Sequence, residues 1–440
     1  MLSFRAALDA RPLSAFHYRL LALTVLLLFT DGYDTQAIGY VAPVLTELWH
    51  VERSSFGPIF SAGLIGLMAG AMIFTPIADR FGARRVLLGC TTAYAILTLA
   101  TVWAGSPVLL LVLRFLTGLG LGGAMPSAIA LVSDYSPTRV RTLMVTITVC
   151  GFSLGGAVGG AVAAVTMSRF GWQSVFVIGG IVPLLALAPL ALWLPESLPR
   201  LLEEPALHSR LRTVLANLVP DWTVPADATS AQSKRQGFAV AMLFAGGYAR
   251  STLLIWAAFF CNLVLLYFLA NWLPSVAHAG GLSVAIASLM TASYQGGGTV
   301  GALTLAWTCD RTKHPQLVLA CVFLGAAVCC ALLGSVGTFA PALIATACAT
   351  GFCVIGGQTA ANAVVGNYYP PDIRATGVGW ALGIGRFGSI FGPLIGGILI
   401  GLQVPNRVLF GLFALPAFLA ATCFMLIDRG SRRRQVHGSR

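Results

Sequence analysis

Long apolar runs separated by short polar breaks set the pattern of this chain. Twelve such runs recur, near residues 19–42, 55–77, 86–104, 108–132, 142–166, 173–194, 250–276, 284–308, 316–336, 340–366, 375–400 and 406–427. Each is close to the roughly 20 residues that an α-helix needs to cross about 30 Å of hydrocarbon. In that medium every backbone N–H and C=O must find a partner within its own segment, which a helix provides. The pattern therefore predicts an all-α integral membrane protein with twelve transmembrane helices. One polar interval, from Pro195 to Arg250, is far longer than the rest and is rich in Pro, Ser and charge. It divides the helices six and six. Residues 1–198 are expected to form one six-helix bundle, 199–249 a linker, and 250–440 a second bundle with a short basic tail.

Composition sharpens this picture. Of 440 residues, 57% are hydrophobic and only 10% charged, with a mean hydropathy of +0.84, against about 25% charged residues in an average soluble chain. Most of the 27 Lys and Arg fall in the termini, the linker and the alternate loops on the same side, whereas the opposite loops keep Arg53, Arg169 and Arg407. By the positive-inside rule both termini and the linker are expected to be cytoplasmic. The net charge of +12, including the run Arg432-Arg433-Arg434, then reads as a topology signal that meets anionic headgroups and not as a nucleic-acid surface. Arg5, Arg11 and Arg19 precede an apolar run too long for a signal peptide, so the first helix is expected to be retained. Ten cysteines are scattered without CxxC or Cys/His spacing, which predicts neither a disulfide framework nor a metal site. No Ser/His/Asp or Cys/His constellation argues for an enzyme, and no cofactor is expected.

The two halves carry traces of duplication. At an offset of 231, Asp79-Arg80 falls on Asp310-Arg311, Gly66 on Gly297, Gly70 on Gly301 and Ala71 on Ala302. At an offset of 233, Pro137 matches Pro370, Arg141 matches Arg374, Gly155 matches Gly388 and Gly159 matches Gly392. A nearly constant offset in corresponding places predicts repeated bundles in the same orientation. Glycines every fourth residue (Gly151, Gly155, Gly159 and Gly388, Gly392, Gly396) predict close helix contacts. Those contacts are also where the bundles are expected to rock. Gly118-x-Gly120-x-x-Gly123 matches a dinucleotide fingerprint by letter, but no strand precedes it and it lies inside an apolar run, so no nucleotide site is read from it.

Charges inside the apolar runs are few enough to name. Among 15 acids, only Asp31 and Asp34, in the stretch Asp31-Gly32-Tyr33-Asp34, fall in a span, and among the basic residues only Arg114 and Arg386 do so away from a span's ends. A carboxylate in hydrocarbon costs about 3 kcal/mol on insertion scales. Two on one turn share a face and must look into protein or a wet cavity, the setting of a proton or ion site. Burial and a neighbouring arginine act in opposite directions on a carboxyl, so one of this pair is expected to exchange a proton. Arginine offers a planar fork matched to a carboxylate. By depth, Arg114 pairs with Asp34 or Asp31, while Arg386, nearer the midplane, is expected to hold a substrate anion. Tyr267, Asn271, Tyr294, Gln295, Gln358 and Asn362 are the polar and aromatic candidates for the same cavity.

Two resemblances follow from particular stretches. The sequence TPIADRFGARR is similar to the signature loop of the major facilitator superfamily, with Asp79, Arg80, Gly82 and Arg84 in register and Asp310 and Arg311 at the equivalent loop of the second half. It departs at Thr75 and Ala83. The resemblance implies the major facilitator fold and a charged loop that locks the cytoplasmic side. FTDGYDTQAIGYVAP, LRFLTGLGLGGAMPSAIALVSDYSPTR and YYPPDIRATGVGWALGIGRFGSIFGP resemble the aromatic acid:H+ symporter family in order and position. That implies import of an aromatic carboxylic acid, such as 4-hydroxybenzoate or protocatechuate, with a proton across the bacterial inner membrane by a monomer. The residues alone leave open another organic anion (an aliphatic acid or muconate), a drug exporter, or an acid sensor that does not transport.

Overall fold

The computed structural model describes residues 8–204, 211, 214–215, 218, 241–244, 247–369 and 371–438. Most of the expected linker over 199–249 lies outside these residues. The first half holds α1 (Ala15–Leu48), α2 (Phe56–Phe81), α3 (Ala83–Ala100), α4 (Pro107–Tyr135), α5 (Arg141–Phe170) and α6 (Gln173–Trp193). The second holds α7 (Ala249–Ala279), α8 (Val284–Arg311), α9 (Pro315–Leu333), α10 (Ala340–Tyr368), α11 (Pro371–Gly401) and α12 (Asn406–Gly438). Several outrun the apolar runs that predict them, because end turns reach polar surroundings where hydropathy no longer marks a helix. Chemistry at the ends fits: Ser106 accepts from Leu109 N–H ahead of Pro107, and Ser283 accepts from Ile286 N–H. Among the described residues, eleven helices are long and apolar enough to cross a membrane, and α8 is not among them. Its middle carries Thr291, Ser293, Tyr294, Gln295 and three consecutive glycines. Its neighbours α10 and α5, not lipid, receive much of that polarity.

Within each half the helices are pinned at glycines. A Cβ on Gly66 would lie 2.1 Å from Phe115 O, and one on Gly70 would lie 2.0 Å from Leu119 O. In the second half, Gly297 meets Cys348 O at 2.1 Å and Gly301 meets Phe352 O at 2.4 Å. Gly155 against Phe29 repeats as Gly388 against Phe260. The two offsets of the sequence, 231 and 233 residues, thus relate the helix contacts of one half to those of the other. Gly151, Gly155, Gly388 and Gly392 close α1–α5 and α7–α11 inside each half, which corrects their expected place between the halves. On α5 the next helix face faces across instead: Gly156 packs on Gln295, and Gly160 on Ser288 and Ala292.

The halves touch through α1–α7, α2–α11 and α5–α8. Among the described residues, their mutual hydrogen bonds and glycine contacts lie between the middle and the end remote from the chain termini. Ser61 donates to Ile390 O at 2.9 Å, Thr299 to Ser153 at 2.9 Å, and Gly57 packs on Pro393 O and Gly397. At that remote end one apolar cluster runs through both halves, including Phe56, Phe60, Trp272, Phe268 and Tyr40. At the terminal end there are two, one per half, around Leu131 and Tyr135 and around Phe259 and Phe323. Among the described residues, the halves close on each other at the remote end and leave a cleft towards the termini.

Candidate substrate and proton site

On α1, Asp34 is buried at 1% exposure and fully engaged. Thr98 on α3 donates to its Oδ1 at 2.5 Å, and Arg114 Nη1 on α4 lies 3.4 Å from its Oδ2. The other arm of the Arg114 fork donates to Thr101 at 2.6 Å and Thr117 at 3.3 Å, and its guanidinium carbon sits 5.0 Å from the centre of the Phe176 ring. A charge so placed is paired, hydrogen-bonded and covered by an aromatic face, as burial requires. Asp31, one turn nearer the termini, is 3% exposed, and its Oδ1 has no partner among the described residues. Its neighbour is the buried Tyr94 hydroxyl, which also meets Thr30 Oγ1 at 2.7 Å. A polar seam therefore runs between α1 and α3 inside an apolar bundle.

Asp34 and Arg114 open onto a small cavity shared by the halves, lined also by Gln36, Thr117, Tyr267 and Asn271. Tyr267 extends the site into the second half, where its hydroxyl lies 3.4 Å from Nη1 of the half-buried Arg386. The amide of Asn271 bonds the Tyr267 carbonyl at 2.8 Å. The other candidates are placed apart. Tyr294 is fully buried, with its hydroxyl on Leu266 O at 3.3 Å, so it does not face this cavity. Gln295 packs on Gly156 at the seam between halves. Gln358 accepts from Asn262 at 2.8 Å and donates to Asn362 at 3.1 Å, an amide chain inside the second half. Thr98, Tyr94 and Asn262 were not among the sequence candidates. The first two had a signal: they stand four apart on α3, one helical turn, much as the two acids stand three apart on one turn of α1.

The charged loop between α2 and α3 is held by its own half. Gly82 has φ 99°, and a Cβ there would strike Glu196 Oε1 at 2.6 Å, so glycine meets both a backbone and a space requirement. Glu196, 6% exposed, accepts from the N–H groups of Arg84 at 3.1 Å and Ser197 at 3.0 Å. The Arg84 guanidinium donates to Ala191 O, and Arg200 donates to Arg80 O. The Asp79 side chain lies outside the described part. Arg80 and Arg311 are exposed and cover Phe81 and Trp307, while Asp310 is exposed on the far side of the cleft. Among the described residues, the hydrogen bonds of this loop stay within its own half. Glu196→Ala is expected to leave two N–H groups unpaired and to cost about 1–3 kcal/mol, read as a lower melting temperature of the purified protein, with Glu196→Gln recovering part of the loss.

A family model for the Major Facilitator Superfamily matches residues 24–280 and 255–439. The chain is 41% identical over 420 residues to a gallate transporter of Pseudomonas putida, covering 95% of this chain and 93% of the relative. It is 39% identical over 432 residues to the 4-hydroxybenzoate transporter PcaK of Pseudomonas aeruginosa, covering 97% and 95%. Among solved structures, the inward open xylose transporter XylE from E. coli superposes with a TM-score of 0.74 at 16% identity, covering 92% of this chain and 95% of that one. Twelve long helices in two halves among the described residues, a polar site at their junction and these likenesses agree. The chain is a multi-pass transporter of the bacterial inner membrane, not an enzyme, and it belongs to the major facilitator superfamily and within it to the aromatic acid:H+ symporter family.

Proposed function

We propose that this transporter imports a hydroxylated benzoate, such as 4-hydroxybenzoate, protocatechuate or gallate, together with a proton by alternating access, with both termini in the cytoplasm. The observation that carries the reading is Arg386, half-buried and joined through Tyr267 to the cavity that bears Asp34 and Arg114. A guanidinium there supplies two parallel donors for a carboxylate, and Tyr267 and Asn271 supply a ring face and polar edges for a phenol. Support for the ring comes from the relatives, whose names specify gallate and 4-hydroxybenzoate. Loading one proton and one monoanion leaves the charge of the site unchanged, so the loaded carrier reorients without moving an unpaired charge through hydrocarbon. Anion alone would add one. Coupling is then a linkage between two binding events.

Proteoliposomes test this with radiolabelled 4-hydroxybenzoate under an inward pH gradient, with unlabelled gallate, protocatechuate, benzoate and muconate as competitors. Accumulation is expected, with the hydroxylated benzoates competing best. Arg386→Gln is expected to reduce uptake about 100-fold, the equivalent of roughly 3 kcal/mol for a lost charge-assisted contact. Muconate or an aliphatic acid competing best would transfer the reading to another organic anion, and binding without accumulation would make the protein a sensor.

A further inference from the structure

We infer that Asp31, not Asp34, carries the transported proton, and that Tyr94 is the residue that positions it. The assignment rests on the proton-coupled reading above and divides labour between two acids that the sequence leaves equivalent. Asp34 has a partner on each oxygen, Thr98 on one and Arg114 on the other. Adding a proton to it would strip a buried guanidinium of its counter-charge, which is strongly destabilising. Arg114 does not offset this by losing its own proton, since arginine stays charged in proteins.

Asp31 is the reverse case. It is as deeply buried, yet one carboxyl oxygen has no partner among the described residues. The charged or titratable groups that face it are Asp34 one turn along α1, and Tyr94 and Cys90 on α3. From α5, the backbone of Phe152 closes against Gly32. None of these is a cation. An ionised Asp31 would be a buried charge beside a like charge, whereas the neutral acid asks only for a hydrogen-bond partner. Tyr94, 0% exposed and tied to Thr30, is fixed to be that partner. Release breaks the O–H bond of the Asp31 carboxyl and passes the proton to water of the cavity that Asp34 lines, leaving a carboxylate one turn along α1 from Asp34.

Infrared difference spectroscopy of the purified full-length protein, without substrate, reads the site directly. A stretching band of a protonated buried carboxyl is expected in the wild type and in Asp34→Asn, and is expected to vanish in Asp31→Asn. In Tyr94→Phe the band should move to higher frequency, because the carbonyl loses its donor, and the pH profile of uptake should shift with it. In proteoliposomes Asp31→Asn should lose pH-driven accumulation and still exchange internal for external 4-hydroxybenzoate, while Asp34→Asn should do neither. If Asp31→Asn fails to fold, Asp31→Glu against Asp34→Glu gives the same assignment by which substitution displaces the band. A band that persists in Asp31→Asn, or that disappears in Asp34→Asn alone, would overturn the inference, as would pH-driven accumulation by Asp31→Asn. The spectral readout needs no substrate, so it stands even if the protein proves to carry some other anion.

Discussion

Asp34→Asn is expected to abolish uptake and to destabilise the protein by about 3–5 kcal/mol, the usual cost of removing one member of a buried ion pair. The amide keeps the acceptor for Thr98 but leaves the Arg114 guanidinium, 4% exposed, without its only described acidic partner. Arg114→Gln should cost a similar amount for the mirror reason. The double variant Asp34→Asn/Arg114→Gln should regain part of the stability while staying inactive, because two neutral amides need no counter-charge but hold no fixed field. Thermal melts of the four purified proteins make a double-mutant cycle. A double variant that loses the sum of the two single losses would mean that the groups act independently.

Gly351→Ala should be as damaging for a different reason. Its new methyl carbon would sit 1.7 Å from the carbonyl oxygen of Tyr294, so α10 and α8 must part along their length. Neither neighbour is a movable side-chain tip. Overpacking usually costs about 1–3 kcal/mol, and a clash with backbone belongs at or above the upper end. Little folded protein is expected on size-exclusion chromatography. Gly366→Ala is the control: its Cβ would meet nothing within 4 Å, and alanine is the better helix former by up to about 1 kcal/mol. Equal behaviour of the two variants would mean that the α8–α10 contact is looser than described.

The architecture was legible because hydrocarbon imposes a single rule on every span, that of length and apolarity. The exception shows the rule's limit. Helix α8 falls short because Gln295 and its glycines answer to Gly156, Ile355 and Cys348, and hydropathy measures lipid, not protein neighbours. At the site, the rarity of charge singled out Asp31, Asp34, Arg114 and Arg386. What rarity does not convey is direction. Tyr294 and Gln358 have the right chemistry and depth, but one turns to Leu266 and the other to Asn262. Spacing on one helix is silent about which neighbour a face meets. The role of Glu196 was hidden for a related reason: beside its neighbour Ser197, its partner is the backbone N–H of Arg84, 112 residues earlier, and a backbone partner has no signature in sequence.

The placement of the aromatic cluster at the remote end has an electrical consequence. Where the cleft admits water, bulk electrolyte reaches inward from the terminal side, so the potential there is nearly that of the adjoining solution. The insulating thickness is then concentrated in the layer of Phe60, Trp272 and their neighbours that joins the halves. Most of the transmembrane voltage drops across that layer instead of along the full width of the bilayer. An anion entering Arg386 from the cleft crosses little of the field, and a charge that passes the layer crosses most of it, at about 2.3 kcal/mol per 100 mV. Voltage sensitivity should therefore belong to the step that takes this layer apart, and be small for binding from the open side.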